Sequence, residues 1–275
     1  MRKHTALSLF ITLCLLASCS PRFTEFTFVQ MTDPQIGFRD NSQGLVHTDT
    51  LFGKAVEAVN ALNPECVIIT GDLINDASDT CQDSIYRANR AKIKVPVYEI
   101  PGNHDIRPWT PENHAHYLEL RGYDRFSFRL GGCAFIGFDS NCIKDGQEKA
   151  EEEQFRWLEW ELRKARRYKY VFVFLHCPVI RESIDEENDY FNFHKGTREK
   201  YIALFKKYGV DVVFAGHTHM DYDTTVDGIH FITAGPVGSP LGRGYSGYEV
   251  VTVTKDGVDC KYIPTPGVSQ KLSEK

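Results

Sequence analysis

The stretch PVYEIPGNHD at residues 96–105 joins a short apolar, strand-like run to an amide, an imidazole and a carboxylate. Four other apolar runs end in a cluster of the same kind. These clusters are Asp33-Pro34-Gln35, Gly71-Asp72, His176 and Gly216-His217-Thr218-His219. Residues at the carboxyl ends of strands in an open α/β sheet gather at one edge of that sheet. The pattern therefore predicts that the five clusters form one site.

The apolar runs alternate with segments of helical periodicity, which is typical of an α/β protein. Predicted strands cover residues 26–32, 66–70, 96–100, 126–130, 133–139, 170–175, 210–215, 229–233, 248–254 and 258–263. Predicted helices cover residues 45–62, 79–92, 151–168 and 197–208, and Gly209 is expected to end the last of them. A chain of 275 residues with no repeat or linker favours a single domain.

The five clusters offer carboxylate oxygens, amide oxygens and imidazole nitrogens, and no thiolate. Such a mixed set suits Mn, Fe, Zn or Mg ions. Asp33, Asp72 or Asn103 taken alone could be a helix cap or a turn residue. The ordered set with its histidines favours a metal-binding site.

The ordered clusters resemble the calcineurin-like metallophosphoesterase superfamily, whose pattern is D-x-H, G-D, G-N-H-D/E, H and G-H-x-H. The resemblance runs from Asp33 to His219 and covers most of the chain. It implies a four-layer α/β/β/α sandwich and a phosphoesterase in which two metal ions activate a water molecule to hydroxide.

The resemblance also assigns a role to each matching residue. Asp72 would bridge the two ions, with Asp33, Gln35 and His219 completing the first site and Asn103, His176 and His217 completing the second. His104 would face the substrate phosphate and stabilise or protonate the leaving oxygen. Asp105 would accept a hydrogen bond from His104 and fix its tautomer.

Gln35 departs from the superfamily pattern, in which histidine is usual at this position. An amide oxygen is a neutral and weaker donor than imidazole toward borderline metals. The first site is therefore expected to bind its ion less tightly, or to favour a harder ion such as Mn or Mg.

Several segments resemble a narrower group, the calcineurin-like phosphoesterase domain-containing protein 1 group, which shares this glutamine. They are Asp33-Pro34-Gln35-Ile36-Gly37, Glu182-Ser183-Ile184-Asp185-Glu186, Lys207-Tyr208-Gly209 and Leu241-Gly242-Arg243. That group is regarded as containing protein serine/threonine phosphatases, so the resemblance implies phosphomonoester hydrolysis. Phosphodiester cleavage and non-catalytic binding of a phosphorylated ligand in the cell envelope are the alternatives.

The first residues have the layout of a secretory signal, with Arg2 and Lys3 before an apolar run. The run closes as Leu16-Ala17-Ser18-Cys19, which resembles the bacterial lipobox. We expect a signal peptide at residues 1–18, a lipidated Cys19, a tether at 19–25, the catalytic domain at 26–266 and a loose tail at 267–275. The expected location is the bacterial cell envelope, by attachment to a membrane.

The net charge is −5, and loss of residues 1–18 removes two of the 32 basic residues, leaving about −7. This charge argues against nucleic acid as a partner, although a local basic patch is compatible with it. Cysteine spacing shows no CxxC pair, so a structural zinc site is not expected, and any disulfide pairing stays open.

Two features of the sequence each have two possible interpretations. Residues 182–194 are either a lid beside the site or a solvated surface loop. Arg243 either binds a substrate phosphate or is an exposed loop arginine. The oligomeric state has no signature in the sequence.

Overall fold

The computed structural model of the chain describes residues 21–38, 44–241 and 244–268. The expected signal peptide, Cys19, Arg243 and residues 269–275 of the expected tail lie outside these ranges. The described strands are β1 (Phe26–Met31), β2 (Val67–Thr70), β3 (Val97–Ile100), β4 (Phe126–Leu130), β5 (Cys133–Gly137), β6 (Val171–Phe174), β7 (Val212–Ala215), β8 (Tyr222–Val226), β9 (Ile229–Thr233), β10 (Gly247–Val253) and β11 (Val258–Pro264). The described helices are α1 (Gly44–Leu62), α2 (Thr80–Arg90), α3 (Pro111–Arg121), α4 (Asn141–Lys144), α5 (Glu148–Ala165) and α6 (Lys195–Tyr208).

The helices follow from local sequence signals. α1 buries Phe52, Val56 and Val59, which recur at helical spacing on one face. α2 begins after Asp79, whose carboxylate accepts the main-chain N–H groups of Cys81 and Gln82. α6 ends at Gly209 in the left-handed conformation, as predicted.

The strands form two mixed sheets. The first has the order β11-β10-β1-β2-β3, and the second has the order β4-β5-β6-β7-β9-β8. Strands β1, β2 and β3 run parallel to one another, and so do β5, β6, β7 and β9. The carboxyl ends of these parallel strands carry the polar clusters.

A core of phenylalanines joins the two sheets. Phe28 of the first sheet is surrounded by rings of the second, with centroid distances of 5.0 Å to Phe135 and 5.7 Å to Phe214. A second apolar core lies between the sheets and the helices that cover them. The resulting α/β/β/α sandwich confirms the predicted fold.

Three of the described helices and strands were not predicted from the sequence. Helix α3 buries only Tyr117, so it lacks an apolar stripe, although Thr110 caps it and Pro111 opens it. Strand β8 is polar and pairs only with β9 among the described strands. Helix α4 is a single turn. None of the described helices is long and apolar enough to cross a membrane.

Candidate metal centre

The two sheets meet at one edge, and loops from both sheets line it. The loops after β1, β2 and β3 carry Asp33, Asp72 and Asn103, and those after β6 and β7 carry the histidines. Two groups of potential ligand atoms result, each with its atoms within 4.8 Å of one another. The first is Asp33, Asp72 and His219, and the second is Asp72, His176 and His217. Asp72 belongs to both groups.

In the first group, hydrogen bonds orient each side chain through the atom that faces away from the centre. The Oδ2 atom of Asp33 accepts the hydroxyl of Thr32 at 2.6 Å and the main-chain N–H of His217 at 2.9 Å. His219 places Nδ1 2.7 Å from the carbonyl oxygen of Ser239 and Nε2 3.4 Å from Oδ1 of Asp33. These hydrogen bonds leave Oδ1 of Asp33 and Nε2 of His219 available to bind an ion.

The second group is built in the same way. His176 places Nδ1 2.8 Å from the carbonyl oxygen of Thr70, so that nitrogen carries the hydrogen. Its Nε2 atom lies 3.1 Å from Oδ1 of Asn103 and 3.4 Å from Oδ1 of Asp72. In His217, Nε2 lies 3.2 Å from the carbonyl oxygen of Tyr190, which leaves Nδ1 as the free nitrogen.

The main chain at these residues is strained. Positive φ angles occur at seven described residues other than glycine, and five of the seven are predicted ligands. These five are Asp33, Gln35, Asp72, His217 and His219. Such conformations cost about 1–3 kcal/mol each and concentrate at functional sites. The concentration here supports a binding role for this edge.

Two glycines allow the loops to approach one another. A Cβ atom on Gly102 would lie 2.0 Å from the main-chain nitrogen of Asp72, and one on Gly216 would lie 1.8 Å from Oγ1 of Thr32. Neither distance is compatible with a side chain. These glycines are therefore needed for close approach of the backbone.

Burial and charge shift the ionisation of the cluster. Burial opposes ionisation of Asp72, but His176 beside it holds the pKa of Asp72 below its ordinary value. The same pair raises the pKa of His176 to about 9 despite its burial. Burial, reinforced by the charge of His176, lowers the pKa of His217 to about 3. Complete burial raises the pKa of Asp33, and His219 offsets only part of that effect.

Two buried oxygens test whether the residues fit metal ions. Oδ1 of Asp33 and Oε1 of Gln35 are buried and accept no hydrogen bond. Leaving such atoms without a partner is unfavourable, and both belong to predicted ligands of the first ion. With the imidazole nitrogens they form an oxygen and nitrogen set that suits a divalent cation. The residues therefore fit the predicted metals.

The predicted hydrogen bond between His104 and Asp105 is wrong. Nδ1 of His104 lies 2.8 Å from the carbonyl oxygen of Asn75. The carboxylate of Asp105 instead accepts main-chain N–H groups of Gly102 at 2.8 Å and Leu73 at 3.1 Å. Asp105 thus positions the loops that carry Asp72 and Asn103. Asn75 had no signal for this role, because any residue can supply a carbonyl oxygen.

The structure resolves the alternatives for residues 182–194. Tyr190 lies against the site, where its hydroxyl accepts a hydrogen bond from Nδ2 of Asn103 at 3.1 Å and its ring lies 4.8 Å from that of His217. The buried Arg198 of α6 holds this loop through the carbonyl oxygens of Ile184 at 2.6 Å and Phe193 at 2.9 Å. The loop is a fixed wall of the site.

Two cavities open beside the cluster. One of about 460 Å³ is lined by His104, Asn75, Asp76 and His116. The other, of about 230 Å³, is lined by Tyr190, Lys144 and His217. Arg107 lines both, so its guanidinium is available to an anion in either cavity.

A third group, His114, Asp124 and Asp139, also brings potential ligand atoms together. Its atoms are already hydrogen-bonded within the protein. His114 pairs with Asp124 at 3.0 Å, and Asp139 accepts Nε1–H of Trp109 at 2.8 Å. This network connects α3 to the second sheet and requires no ion.

The paired sheets and the two Asp/His groups that share Asp72 fit a dinuclear metal-dependent phosphoesterase. The family model described as calcineurin-like phosphoesterase matches residues 26–221. The chain belongs to this family, which confirms the resemblance described above. It is a metal-dependent phosphoric ester hydrolase.

Relatives agree with this assignment. The serine/threonine-protein phosphatase CPPED1 of Bos taurus is 30% identical over 268 residues, covering 90% of this chain and 86% of the relative. A probable glycerophosphodiester phosphodiesterase, GpdQ of Arcobacter nitrofigilis, is 30% identical over 182 residues, covering 62% of each chain. The solved structure of a dimetal phosphatase from Danio rerio has the same fold, with a TM-score of 0.65 and 17% identity, over 86% of this chain and 95% of that chain.

Proposed function

We propose that the protein is a phosphomonoesterase that acts on phosphoserine or phosphothreonine, using the two metal sites predicted from the sequence. The observation that carries this proposal is the sharing of Asp72 by two ligand groups beside His104, whose main-chain N–H donates to Oδ1 of Asp72 at 2.8 Å. A carboxylate in that position can serve two ions, and the imidazole lies next to the place where phosphate would bind.

The ions supply Lewis acidity when bound, which activates water and neutralises phosphate charge. The side chains of the protein hold the ions, donate a proton and orient one another. Asp72 would join the two sites, and Asn103 and His176 would hold the ion of the second. His104, with Nδ1 committed to Asn75, presents Nε2 to the larger cavity, where an imidazolium can donate its proton to the leaving oxygen. Tyr190 orients the amide of Asn103 by accepting a hydrogen bond from its Nδ2 atom.

The substrate class is supported by the CPPED1 relative, which matches this chain along nearly its whole length. An open cavity of about 460 Å³ next to His104 provides space for the leaving group of a phosphorylated side chain. Arg107 at its rim can contact the phosphate or a neighbouring acidic residue of the substrate.

A phosphodiesterase is the second candidate. Cavities lie on both sides of Arg107, and a diester requires space for two ester groups. The GpdQ relative points in the same direction over a shorter part of the chain. The two activities differ in whether a second ester group of the phosphate has to be accommodated beside the cluster.

The test compares hydrolysis of p-nitrophenyl phosphate, its bis-ester and a phosphothreonine peptide by metal-stripped protein supplied with Mn. We expect turnover of the monoester and the peptide to exceed that of the bis-ester, and to vanish in Asp72→Asn. Preferential cleavage of the bis-ester would replace the monoesterase by the phosphodiesterase. Absence of all three activities, with two ions bound per chain, would favour the non-catalytic binding protein.

We propose further that Gln35 makes the first site selective for a hard ion. Its Oε1 atom is buried without a partner, while Nε2 donates to Oδ1 of Asn75 at 3.3 Å. Gln35→His is expected to increase Zn affinity relative to Mn, measured by competition titration. An unchanged Zn to Mn ratio would contradict this role.

We propose that the protein is attached to a membrane of the bacterial cell envelope through lipid on Cys19. The support is the Leu16-Ala17-Ser18-Cys19 sequence after the apolar run. Cells fed an alkyne-labelled fatty acid should label the wild type, and Cys19→Ala should lose the label. Equal labelling of both chains would exclude attachment at Cys19.

A further inference from the structure

Basic residues concentrate at one corner of the sandwich. Five lysines and arginines lie between Arg163 and Lys169, all exposed, although the chain as a whole has a charge of −5. With Arg129 they form the basic corner, defined as Arg129, Arg163, Lys164, Arg166, Arg167 and Lys169. An open cleft of about 640 Å³ runs between the end of α5 and β4, and five of the six basic residues line it.

Most of this positive charge is not neutralised within the protein. Glu161 pairs with Lys164 at 2.5 Å and with Arg129 at 3.4 Å. Arg166 forms no ion pair with any residue that the structure describes. Arg163 forms none at contact distance, although its charge contributes, after Lys207 and Tyr208, to lowering the pKa of Glu159. The exposed Trp160 lies under Lys164, with 5.7 Å from the ammonium to the ring, on the same side of the helix. The corner therefore combines unpaired guanidinium groups with an exposed aromatic ring.

The segment that precedes β1 emerges beside this corner. The main-chain N–H of Thr24 donates to the carbonyl oxygen of Gly131 at 3.1 Å, which places the segment on the turn between β4 and β5. The ring of Phe23 packs edge-on against Tyr170 at 6.3 Å, and Nζ of Lys169 lies 5.7 Å from the Phe23 ring. The first described residues and the basic corner are in direct contact.

The metal centre lies at the opposite edge. Residues 21–25 precede β1, whereas Asp33 follows it, and a six-residue strand is about 20 Å long. Helix α5 likewise runs away from the catalytic edge, because it ends just before β6 begins. A flat surface in contact with the basic corner would leave the site open on the far side.

We propose that the basic corner docks on the anionic phospholipid surface of the membrane that holds the chain through Cys19. The proposal rests on the lipid attachment proposed above. Three residues separate Cys19 from Phe23, and the four steps along the chain span about 14 Å at most. Lysines and arginines this close to an anionic leaflet are attracted to it, and tryptophan is favoured at the interface. Docking turns the metal centre toward the aqueous space, so the substrate reaches it from solution.

The test uses the chain from Ser20 onward, which lacks the lipid-bearing cysteine and retains every described element from Phe26 to Pro264. Flotation measures its binding to vesicles of phosphatidylcholine alone and of phosphatidylcholine mixed equally with phosphatidylglycerol. We expect a clear preference for the anionic vesicles at physiological salt. Arg163→Gln with Arg166→Gln should weaken that binding on the order of tenfold or more.

The matched control is Lys149→Gln with Arg156→Gln, which removes two charges from the other part of α5. It should bind as the wild type does, and both variants should retain p-nitrophenyl phosphate turnover. Equal binding to the two kinds of vesicle, or equal loss in the control, would overturn the proposal. Tighter binding to duplex DNA than to anionic vesicles at equal phosphate concentration would overturn it in favour of nucleic acid. Failure of the Cys19 labelling would overturn the anchored docking even if the vesicles were bound, whereas loss of vesicle preference with the labelling intact would overturn the docking and leave the lipid attachment standing.

Discussion

Nδ1 of His104 lies 2.8 Å from the main-chain carbonyl oxygen of Asn75. Because a carbonyl oxygen only accepts hydrogen bonds, Nδ1 carries a hydrogen and Nε2 is the nitrogen left for the substrate. The carbonyl belongs to the loop that follows Asp72, and the N–H of His104 donates to Asp72 in return. The predicted proton donor and the shared metal ligand are thus supported by one pair of loops.

We expect His104→Ala to lower turnover about 10²–10⁴-fold, the usual contribution of a positioned general acid. The metal content should not change, because His104 belongs to neither ligand group. Steady-state kinetics with metal analysis measures both. His47→Ala, at an exposed position of α1, is the control and should behave as the wild type. Undiminished turnover in His104→Ala would exclude the residue from the mechanism.

The sharing of Asp72 predicts different losses of metal in two variants. Asp72→Asn should reduce binding at both sites, whereas His219→Ala should reduce it mainly at one, because His219 occurs in a single group. Metal per chain is measured by elemental analysis after equilibration with limiting Mn. Circular dichroism should show that both variants remain folded. Equal losses in the two variants would contradict a shared ligand.

Asp105→Ala should lower the free energy of unfolding by about 1–3 kcal/mol for each main-chain N–H group that it leaves without an acceptor. The reason is that the main-chain N–H groups of Gly102 and Leu73 would remain buried without an acceptor. Urea denaturation of metal-free protein measures the change. Asp256→Ala, at an exposed hairpin position, should change it by less than about 0.5 kcal/mol. A small loss in Asp105→Ala would mean that the loops relax without it.

Gly216→Ala should abolish metal binding or prevent folding, because the added methyl group would meet Oγ1 of Thr32 at 1.8 Å. Gly196→Ala is the matched change, since a Cβ atom there meets nothing within 4 Å. The second variant should be at least as stable as the wild type, because alanine is favoured over glycine in a helix. Thermal unfolding and Mn titration of both variants test the contrast. Normal Mn affinity in Gly216→Ala would contradict it.

Glu249 makes stability depend on pH in a defined direction. Burial, together with the nearby Asp223, raises its pKa from 4.5 to about 8 in the folded protein. The folded state therefore binds more protons than the unfolded state between these values, and stability falls as pH rises through that window. Glu249→Gln should gain stability over the wild type from pH 5 to pH 8, on the order of a few kcal/mol. Urea denaturation at both pH values measures the gain, and exposed Glu57→Gln should show none.

The sequence predicted the sheets well because their strands are short apolar runs with polar ends. The order of the clusters predicted that they gather at one edge of the sheets, and the residues of both ligand groups were among those named. Helix α3 and strand β8 lacked the apolar periodicity on which such predictions depend. Their positions are determined by contacts with distant parts of the chain.

Other features of the site cannot be predicted from the identity of the residues. The ring of His104 is oriented by a hydrogen bond to the carbonyl oxygen of Asn75. The ring of His217 is oriented by a hydrogen bond to the carbonyl oxygen of Tyr190. Every residue has a carbonyl group, so neither partner could be identified in advance. The left-handed main-chain conformation at five predicted ligands could not be predicted either, because residues other than glycine seldom adopt it.

The two sheets each contribute ligands, with Asp33 and Asp72 on one side and the histidines of the β6 and β7 loops on the other. The phenylalanine core joins the centres of the two sheets. Bound ions would therefore cross-link the sheets at the edge that this core does not reach. Ions that bind only the closed sandwich add their binding free energy to its stability. Loss of metal would then remove a cross-link as well as a catalyst, and enzyme starved of metal would be easier to degrade as well as inactive.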